Sequence, residues 1–564
     1  LGAASLRSAA TKKDRVLAIK EYSSILGSIL GNIHNKRKDA TMKLMELYQE
    51  RVMGAIRGLD RIRFRGTLRW LANDTGMKTF LRHSHILLKD FGDWANNVTA
   101  RVRESCQRRA AELGIELRYL TSSSVNKEKL ARRLAEEKGF SEGPICMFSV
   151  VEPCIAPMVR GDKATKKLTL EMRPRKCVWI YHYFNDAKLG FGHVRLQTWL
   201  PLNVFICLNG RHWLEQGLRK KGIGYIKDGN CFPWIEDIAA AQELMDKQLE
   251  SNWPVMLNRM ALEACPVLSD VIVPYKPEYY WSADETEWAT DIMFKSTESV
   301  DRLYPLLLDH AMRVSDSPSV MKYLGKRDMR CSGIGRGRVP KEVISDYRRR
   351  YEGIRVKHWI NRNSVKMYNK SGSILRIETT INNAREFKVF RHPDDDANRP
   401  ASWQRMRKGV SDLHRRCQVS DQCNNRYADA LAAARVEEKL KEVVSPACNK
   451  IKKKGKTYRG INPWQKEDFK LLTFLARGEN ALNGFRNKHL RSWLYPESKT
   501  LAKQEQKRYS ARTTRCIKLL RVHGLIKKVA KENRYTLTAK GRKFACALMS
   551  ASSADIKGLT EIAA

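Results

Sequence analysis

The spacing of apolar residues divides the first half of the chain into helical and β-rich stretches. Residues 14–58 repeat apolar side chains at helical spacing, which predicts a helical hairpin. The same spacing predicts helices over residues 77–114, 127–138 and 235–259. Runs rich in β-branched and aromatic residues predict strands over residues 145–151, 177–183, 192–200 and 202–208. Asn209-Gly210, directly after the last of these runs, is typical of a tight turn.

A second β-rich stretch follows a segment rich in Gly and Arg between Leu324 and Val339, which predicts a domain boundary. Strands are predicted over residues 354–360, 364–369, 374–381 and 386–390, with a turn at residues 370–373. Residues 402–444 are basic and have helical spacing. The run from Lys452 to Lys456 is typical of a flexible basic linker.

The C-terminal part has three amphipathic helical segments followed by two short strands. The helices are predicted over residues 464–477, 485–494 and 509–523, the strands over 525–529 and 533–538, and a further helix from 539. This order predicts a winged helix at residues 460–545. The segment from Leu519 to Arg542 also resembles the winged-helix region of MarR-type regulators, and the resemblance implies the same fold and a DNA-binding role.

Together these patterns predict an α+β multidomain protein with a helical N-terminal region, a mixed α/β central region and a C-terminal winged helix. The predicted segments are a helical region at 1–58, a mixed α/β domain at 59–325 with a β-rich block at 145–235, a β-meander at 340–400, a basic helical connector at 401–450 and a winged helix at 460–545.

Charge narrows the kind of partner. The chain has 105 Lys and Arg against 61 Asp and Glu, a net charge of +44, which favours a polyanionic partner. Residues 451–543 contain 26 Lys and Arg against 6 Asp and Glu, a net charge of +20. DNA is therefore the expected partner, with RNA as the alternative. A winged helix used for protein contacts is a further alternative, although such domains need not be this basic.

The predicted contacts with nucleic acid lie in two places. On the third C-terminal helix, the side chains expected to face the major groove are Arg512, Thr513, Arg515, Lys518 and Arg521. On the two strands after it and the turn between them, the side chains expected to meet phosphates are Lys527, Lys528, Lys531 and Arg534. Alternation of basic and apolar residues near the start of the chain also predicts a strand with Arg61, Arg63 and Arg65 on one face.

The sequence disfavours several other classes of protein. No segment approaches the roughly 18 consecutive apolar residues of a membrane-spanning helix, so no membrane partner is expected. The 13 Cys are scattered, without zinc-site spacing and without a secretory signal before them. This usage predicts a cytoplasmic protein without structural zinc. No P-loop motif is present, which disfavours a P-loop ATPase.

An acidic segment suggests metal-dependent chemistry. On a helix, Asp284, Glu287 and Asp291 would share one face and could hold Mg²⁺ for phosphodiester chemistry, which makes Mg²⁺ the only cofactor expected, and only for an enzyme. The alternative is a solvated acidic helix start. His182 and His193, with Asp186 between them, allow a metal or acid–base interpretation or that of ordinary histidines in aromatic strands.

A second candidate is a tyrosine nucleophile. Alternation places Arg376 and Glu378 on one strand face, and a hairpin would bring Lys366 or Tyr368 beside them. The alternative is a structural cross-strand ion pair. Residues 364–382 show a short resemblance to rolling-circle replication initiators, which implies DNA nicking through Tyr368. The His-hydrophobic-His metal motif of those enzymes is replaced by His83-Ser84-His85 at a distant position.

The sequence therefore predicts a DNA-binding protein. Some 450 residues beyond the winged helix favour a further role, in a mobile element or in replication. One alternative is a metal-dependent DNA-nicking, joining or transposing enzyme. The other is an RNA-binding ribonucleoprotein component that uses the aromatic strands at residues 177–213.

Overall fold

The computed structural model describes most of the chain. The described residues are 43–139, 142–272, 277–325, 343–350, 353–393, 399–432, 440–453, 455–477, 480, 484–499, 501–529 and 532–553. The predicted helical segment at residues 14–42 and most of the Gly- and Arg-rich segment lie outside these residues.

Two compact units make up the described chain. The first unit consists of the described residues within 56–290 and 380–419. The second consists of those within 43–55, 291–379 and 420–553. The described residues are mixed α and β, in agreement with the predicted α+β class.

A mixed sheet forms the basis of the first unit, with strand order β9-β1-β6-β5-β4-β3-β2. The strands are β1 (Val52–Thr67), β2 (Leu117–Leu120), β3 (Gly143–Asp162), β4 (Lys167–Asp186), β5 (Gly190–Gln197), β6 (Val204–Asn209) and β9 (Tyr280–Phe294). Strand β2 pairs with β3 in parallel, whereas β3 to β6 and β1 form antiparallel pairs. Two small antiparallel pairs accompany the sheet, namely β7 (Tyr225–Asp228) with β8 (Cys231–Ile235), and β14 (Lys388–Arg391) with β15 (Ser402–Arg405).

Helices cover both faces of this sheet. They are α2 (Asp74–His83), α3 (Phe91–Glu112), α4 (Lys127–Glu137), α5 (Gly210–Lys221), α6 (Ile238–Lys247) and α7 (Trp253–Ala264). On one face, Ile180 and Ile206 pack in a common core with Val102 of α3. On the other face, α4 packs Ala131 against Tyr181. Because strand side chains alternate, neighbouring strand residues enter these two separate cores.

The second unit contains a β-meander and several helices. Strands β10 (Ile344–Arg350), β11 (Gly353–Ile360), β12 (Asn363–Lys370) and β13 (Ile374–Ile381) are neighbours in this order. The helices are α1 (Lys43–Leu47), α8 (Thr297–Val314), α9 (Ser317–Tyr323), α10 (Leu413–Leu431, which begins in the first unit) and α11 (Leu440–Cys448). The predicted strands at 354–360, 364–369 and 374–381 and the turn between the last two are confirmed, and β10 is an addition to them.

The C-terminal part of the second unit follows the predicted element order. Its elements are β16 (Ile451–Lys453), β17 (Lys456–Tyr458), α12 (Lys466–Ala476), α13 (Asn487–Leu494), α14 (Lys503–Val522), β18 (Ile526–Lys528), β19 (Tyr535–Leu537) and α15 (Ala539–Ser553). Lys452 pairs with Thr457 across the short β16–β17 hairpin, so the prediction of a flexible linker there was wrong.

Several other local predictions were wrong. The helical region predicted to reach residue 58 ends early, because β1 begins at Val52. The helix predicted over 77–114 is two helices, α2 and α3, and that predicted over 235–259 is the end of β8 followed by α6 and α7. The start of the segment at 402–444 is strand β15. Asn209 does not begin a tight turn; its side chain accepts hydrogen bonds from the Arg211 and His212 backbone amides and caps α5.

The acidic segment from Asp284 to Asp291 is also not a helix, because it lies within β9. In a strand, Asp284 lies on the face opposite to Glu287 and Asp291, so the single acidic face that the helical prediction required does not exist. Thr286, Trp288, Ala289 and Thr290 are buried in this strand. Burial on both sides of the segment explains why the strand prevails over the helical pattern.

A fully buried guanidinium joins α10 to the sheet within the first unit. Arg416 donates to the Thr286 hydroxyl at 2.8 Å, to the Ala283 carbonyl at 2.5 Å and to the Ile381 carbonyl. Burial lowers the pKa of Arg416 to about 10, so the group remains charged at neutral pH. One side chain thus donates to three acceptors on two strands, β9 and β13.

We expect Arg416→Met to lower the free energy of unfolding by about 3 kcal/mol, because the substitution leaves buried acceptors without donors. The measurement is urea unfolding followed by tryptophan fluorescence. Arg103→Met, at an exposed position of α3, is the control and should change the stability by less than about 0.5 kcal/mol. Equal stabilities of the two variants would contradict a supporting role for Arg416.

Candidate nucleic-acid interface

The C-terminal helices pack around one apolar core. Its members include Leu472 of α12, Leu490 of α13, Leu520 of α14 and Phe544 of α15. Phe485, just before α13, forms an antiparallel bridge with Tyr535 of β19. The core therefore fixes α14 and the β18–β19 hairpin on one small body, and their exposed sides are available to a partner.

The exposed side of α14 is strongly basic. Its exposed cations are Lys503, Lys507, Arg508, Arg512, Arg515, Lys518 and Arg521, and Glu505 is its only acidic residue. Among the described residues, no carboxylate lies within ion-pair distance of Arg515, Lys518 or Arg521. Arg512 pairs with Glu467 at 2.8 Å, but both side chains are more than half exposed, so solvent screens the pair.

The sequence predicted that Thr513 faces outward, and this prediction was wrong. Its side chain is fully buried, and its hydroxyl donates to the Tyr509 carbonyl at 2.9 Å. The reason is the helical repeat, since residues 513, 517 and 520 share the face that packs against the core. The hydroxyl satisfies its hydrogen bond within the helix, so no contact with a ligand is needed.

The β18–β19 hairpin adds cations beside α14. Lys527 and Lys528 are exposed and lie opposite Thr536 and Tyr535. Arg534 pairs with Glu532 at 2.9 Å. Of the four cations predicted to meet phosphates, Lys527 and Lys528 thus have exposed positions, the charge of Arg534 is partly offset, and Lys531 lies outside the described residues.

In the first unit, Arg61, Arg63 and Arg65 share one face of β1, because Ile62 and Phe64 between them are buried in the core. Arg63 pairs with Asp284 at 3.1 Å, and the Arg65 guanidinium lies 5.6 Å from the centre of the Phe205 ring. The predicted basic face exists, but acidic and aromatic neighbours engage part of it. Asp284, predicted as a metal ligand, is the ion-pair partner of Arg63.

The aromatic side chains on one face of the strands at residues 177–213 are buried in the core and are not accessible to bases. Trp179, Tyr181 and Tyr183 are each less than a tenth exposed, and α4 packs on them. Bases stack on exposed rings, so this block does not support the RNA-binding alternative.

A buried carboxylate on β3, beside these strands, was not predicted from the sequence. Glu152 contacts Lys127 at 2.9 Å, Arg195 at 2.7 Å and the Tyr181 hydroxyl at 2.8 Å. Burial alone would raise the pKa of Glu152, but the hydrogen bonds from Lys127 and Tyr181 and the charge of Arg195 hold it below its usual value. The cluster is a compensated network, and its partners come from three separate elements.

A pair of carboxylates lies on neighbouring strands of the first unit. The carboxylate oxygens of Asp60 on β1 and Glu287 on β9 lie within 4.8 Å of each other. Both Asp60 oxygens accept hydrogen bonds from the Asn230 side chain, at 2.8 and 2.7 Å. Oxygen ligands of this kind suit a divalent cation. Of the predicted acidic residues, Glu287 alone is in this pair, and Asp60 was not predicted because nothing local marks its place in β1.

In the second unit, Asp291 forms a buried bidentate ion pair with Arg376. The two hydrogen bonds measure 2.5 and 2.7 Å. This geometry matches a structural arginine–carboxylate pair. The predicted catalytic role of Asp291 rested on a helix that is absent, and the aspartate instead balances a buried cation.

Tyr368 and Glu378 meet as the hairpin prediction required. The Tyr368 hydroxyl donates to Glu378 at 3.0 Å, and the Lys366 ammonium lies 2.5 Å from the same carboxylate. Glu378 is fully buried, whereas Tyr368 is partly exposed. The Tyr368 hydroxyl therefore contacts a buried carboxylate, while the tyrosine side chain remains partly exposed to solvent.

His182 and His193 do not form a shared site. His182 lies opposite Val194, and His193 lies opposite Tyr183, so the two rings are on opposite faces of the sheet. Burial lowers the pKa of each to about 4, so both are neutral at pH 7. His182 lines a cavity of about 150 Å³ beside Arg109.

Comparisons of the chain with protein-family models, with curated proteins and with solved structures give no match. Within the part of the chain that the structure describes, no helix is both long and apolar enough to cross a bilayer. Function is therefore inferred from the contacts described above.

The histidines give a pH prediction. Because the pKa of His182 is near 4 in the folded protein and about 6.5 in the unfolded chain, the unfolded state binds more protons as the pH falls, and stability is lost below about pH 6.5. Between pH 7 and pH 5, we expect the free energy of unfolding of His182→Leu to fall by about 2 kcal/mol less than that of the parent protein. Urea unfolding at the two pH values measures this difference. His83→Leu, at an exposed position of α2, should keep the parental dependence.

Proposed function

We propose that the protein binds nucleic acid, with DNA as the preferred partner, through the exposed side of α14 and the β18–β19 hairpin. The observation that carries the proposal is the row of exposed cations on α14, which has a single acidic residue. The order of three helices, two strands and a further helix supports the winged-helix interpretation. In such domains the third helix enters the major groove.

The charge distribution favours nucleic acid over a protein partner. The centres of protein interfaces are depleted in lysine, because burying an ammonium costs solvation energy. Phosphates can instead be met by cations that remain partly solvated. The exposed positions of Arg515, Lys518, Lys527 and Lys528 fit the second situation.

We expect the triple substitution of Arg512, Arg515 and Lys518 to Ala to weaken DNA binding at about 0.1 M salt by tenfold or more. Each phosphate contact that is lost should reduce the slope of log K against log salt by about 0.9, so about 2.7 is the upper limit for the triple variant, reached only if all three side chains contact phosphates and none reads a base edge. Fluorescence anisotropy with a labelled duplex, measured over a salt series, gives both quantities.

The matched control removes the same charge elsewhere. Arg103, Arg108 and Lys129 are exposed on α3 and α4, and their substitution by Ala should leave the affinity and the salt slope close to the parental values. If the two triple variants lost the same affinity, total charge would account for binding and the α14 surface would not. Unchanged binding by the α14 variant would remove this surface from the interface.

A second candidate function is strand transfer at Tyr368, which its hydrogen bond to Glu378 favours. The phenol proton would pass to Glu378 as the Tyr368 oxygen attacks a phosphorus atom. The new tyrosyl phosphodiester forms, the bond to the leaving oxygen breaks, and that oxygen takes up a proton to leave as a strand hydroxyl. The ammonium of Lys366 lies 5.8 Å from the Tyr368 ring centre and supplies positive charge nearby.

Strand transfer predicts a covalent complex with DNA that survives denaturing electrophoresis. Tyr368→Phe should abolish the complex, because it removes the attacking oxygen. Tyr347→Phe, at an exposed position of β10, should leave the complex unchanged. Absence of any complex with the parent protein, in the presence of Mg²⁺ and a single-stranded or duplex substrate, would eliminate this second candidate.

A further inference from the structure

The β3–β4 hairpin extends beyond the strands that flank it. Strand β2 pairs with β3 only as far as Val150, and β5 pairs with β4 only from Trp179 onward. Between these limits, β3 and β4 remain paired in unbroken register from Pro153 opposite Lys176 to Asp162 opposite Lys167. We call residues 153–176 the ribbon. In the described part of the chain, no third strand pairs with it.

The ribbon has one anchored face. Leu170 is fully buried in the core of the first unit, and Val159 directly opposite packs against the same core. Met172 lies two residues after Leu170 in β4. Its backbone amide donates to the Asp74 carboxylate of α2 at 2.7 Å. These contacts fix the orientation of the ribbon. On its other face, Cys154 and Ala156 at the base are buried in the core that α4 covers, and only the part from Met158 to the tip points away from that core.

The tip and the exposed side chains of the other face are basic. Residues 160–176 contain seven Lys and Arg against two Asp and Glu, a net charge of +5. The exposed cations are Arg160, Lys163, Lys166, Lys167, Arg173, Arg175 and Lys176. Register places Arg160, Lys167, Arg173 and Arg175 on one face, since directly opposite residues and alternate residues of a strand point the same way.

The two acids of this segment are engaged locally. Asp162 accepts hydrogen bonds from the Thr165 hydroxyl at 2.7 Å and the Ala164 amide at 2.9 Å, which close the turn at the tip. Glu171 pairs with Arg173 at 2.6 Å. No carboxylate of the described residues lies within ion-pair distance of Arg160, Lys163, Lys167 or Arg175, so none of those residues balances these charges.

The edges of the ribbon disfavour addition of a strand from another protein. Pro153 and Pro157 on β3 and Pro174 on β4 have no backbone N–H to offer to a new strand. A partner must therefore be recognised by the side chains of the cationic face. A two-stranded ribbon also has the right width for the major groove of DNA.

We infer that the ribbon is a second nucleic-acid contact, whose cationic face lies against the phosphate backbone. This inference rests on the proposed function and assigns the ribbon a share of the same polyanion. Contacts from side chains to phosphates carry no sequence information, so the ribbon adds affinity and orientation while α14 reads the groove.

The test uses the full chain with Lys163, Lys167 and Arg175 changed to Ala. All three side chains are exposed, and their removal should leave folding intact, as judged by circular dichroism. We expect affinity for a labelled duplex of about 30 base pairs to fall tenfold or more at about 0.1 M salt, with a loss of about 2.7 in the salt slope. The control is the triple Ala variant of Arg103, Arg108 and Lys129.

The outcomes separate this inference from the proposal for α14. If the α14 triple variant loses affinity and the ribbon variant behaves like the control, the ribbon inference is overturned and the proposed function stands. If the ribbon variant loses affinity and the α14 variant does not, the ribbon contact stands and the α14 surface is removed. Loss of binding to phosphatidylserine vesicles by the ribbon variant, with unchanged duplex binding, would assign the ribbon to membranes and contradict the inference.

Discussion

Burial of cations without loss of their charge is the constraint on which the described structure depends most. An arginine inside a protein remains protonated, so the surrounding segments must supply acceptors at fixed positions. Arg416 obtains them from Ala283, Thr286 and Ile381, and thereby holds α10 against β9 and the end of β13. In the second unit, Arg376 has the carboxylate of Asp291. Both contacts engage β9, which shows why this acidic strand is buried.

The sequence predicted the elements whose apolar pattern is local. Helices α12 and α13 and strands β11 to β13 have nearly the predicted bounds, because their periodicity is strong and their ends carry turn residues. The prediction was wrong for β9. Carboxylates at helical spacing suggested a helix there, but contacts with residues distant in sequence stabilise a strand. The prediction of a tight turn at Asn209-Gly210 was wrong for a different reason. Asn-Gly is typical of hairpin turns, but an Asn side chain can also cap the start of a helix, as Asn209 does here.

Parts of the candidate sites follow from alternation, and others do not. The contact of Tyr368 with Glu378 was predictable, because β12 and β13 are joined by a short turn and register follows from it. The partners of Glu152 come from α4, β4 and β5, and Asp60, whose carboxylate lies within 4.8 Å of that of Glu287, comes from β1. Contacts of that kind depend on which strands become neighbours, and no local pattern specifies this. Thr513 was misplaced because the face of a helix that is buried depends on where its core lies.

Because β3 and β4 pair without a break, the orientation of the side chains in the ribbon depends on the number of its residues more than on the identity of any one exposed side chain. Exchanging one exposed lysine alters the surface locally. Deleting one residue within the ribbon instead reverses the alternation for every residue of that strand between the deletion and the tip. Arginines would then turn toward the Leu170 side, and apolar side chains would turn toward solvent. We therefore expect homologous chains to exchange single side chains of the ribbon while keeping its positive charge and the number of residues from Val150 to Trp179 constant.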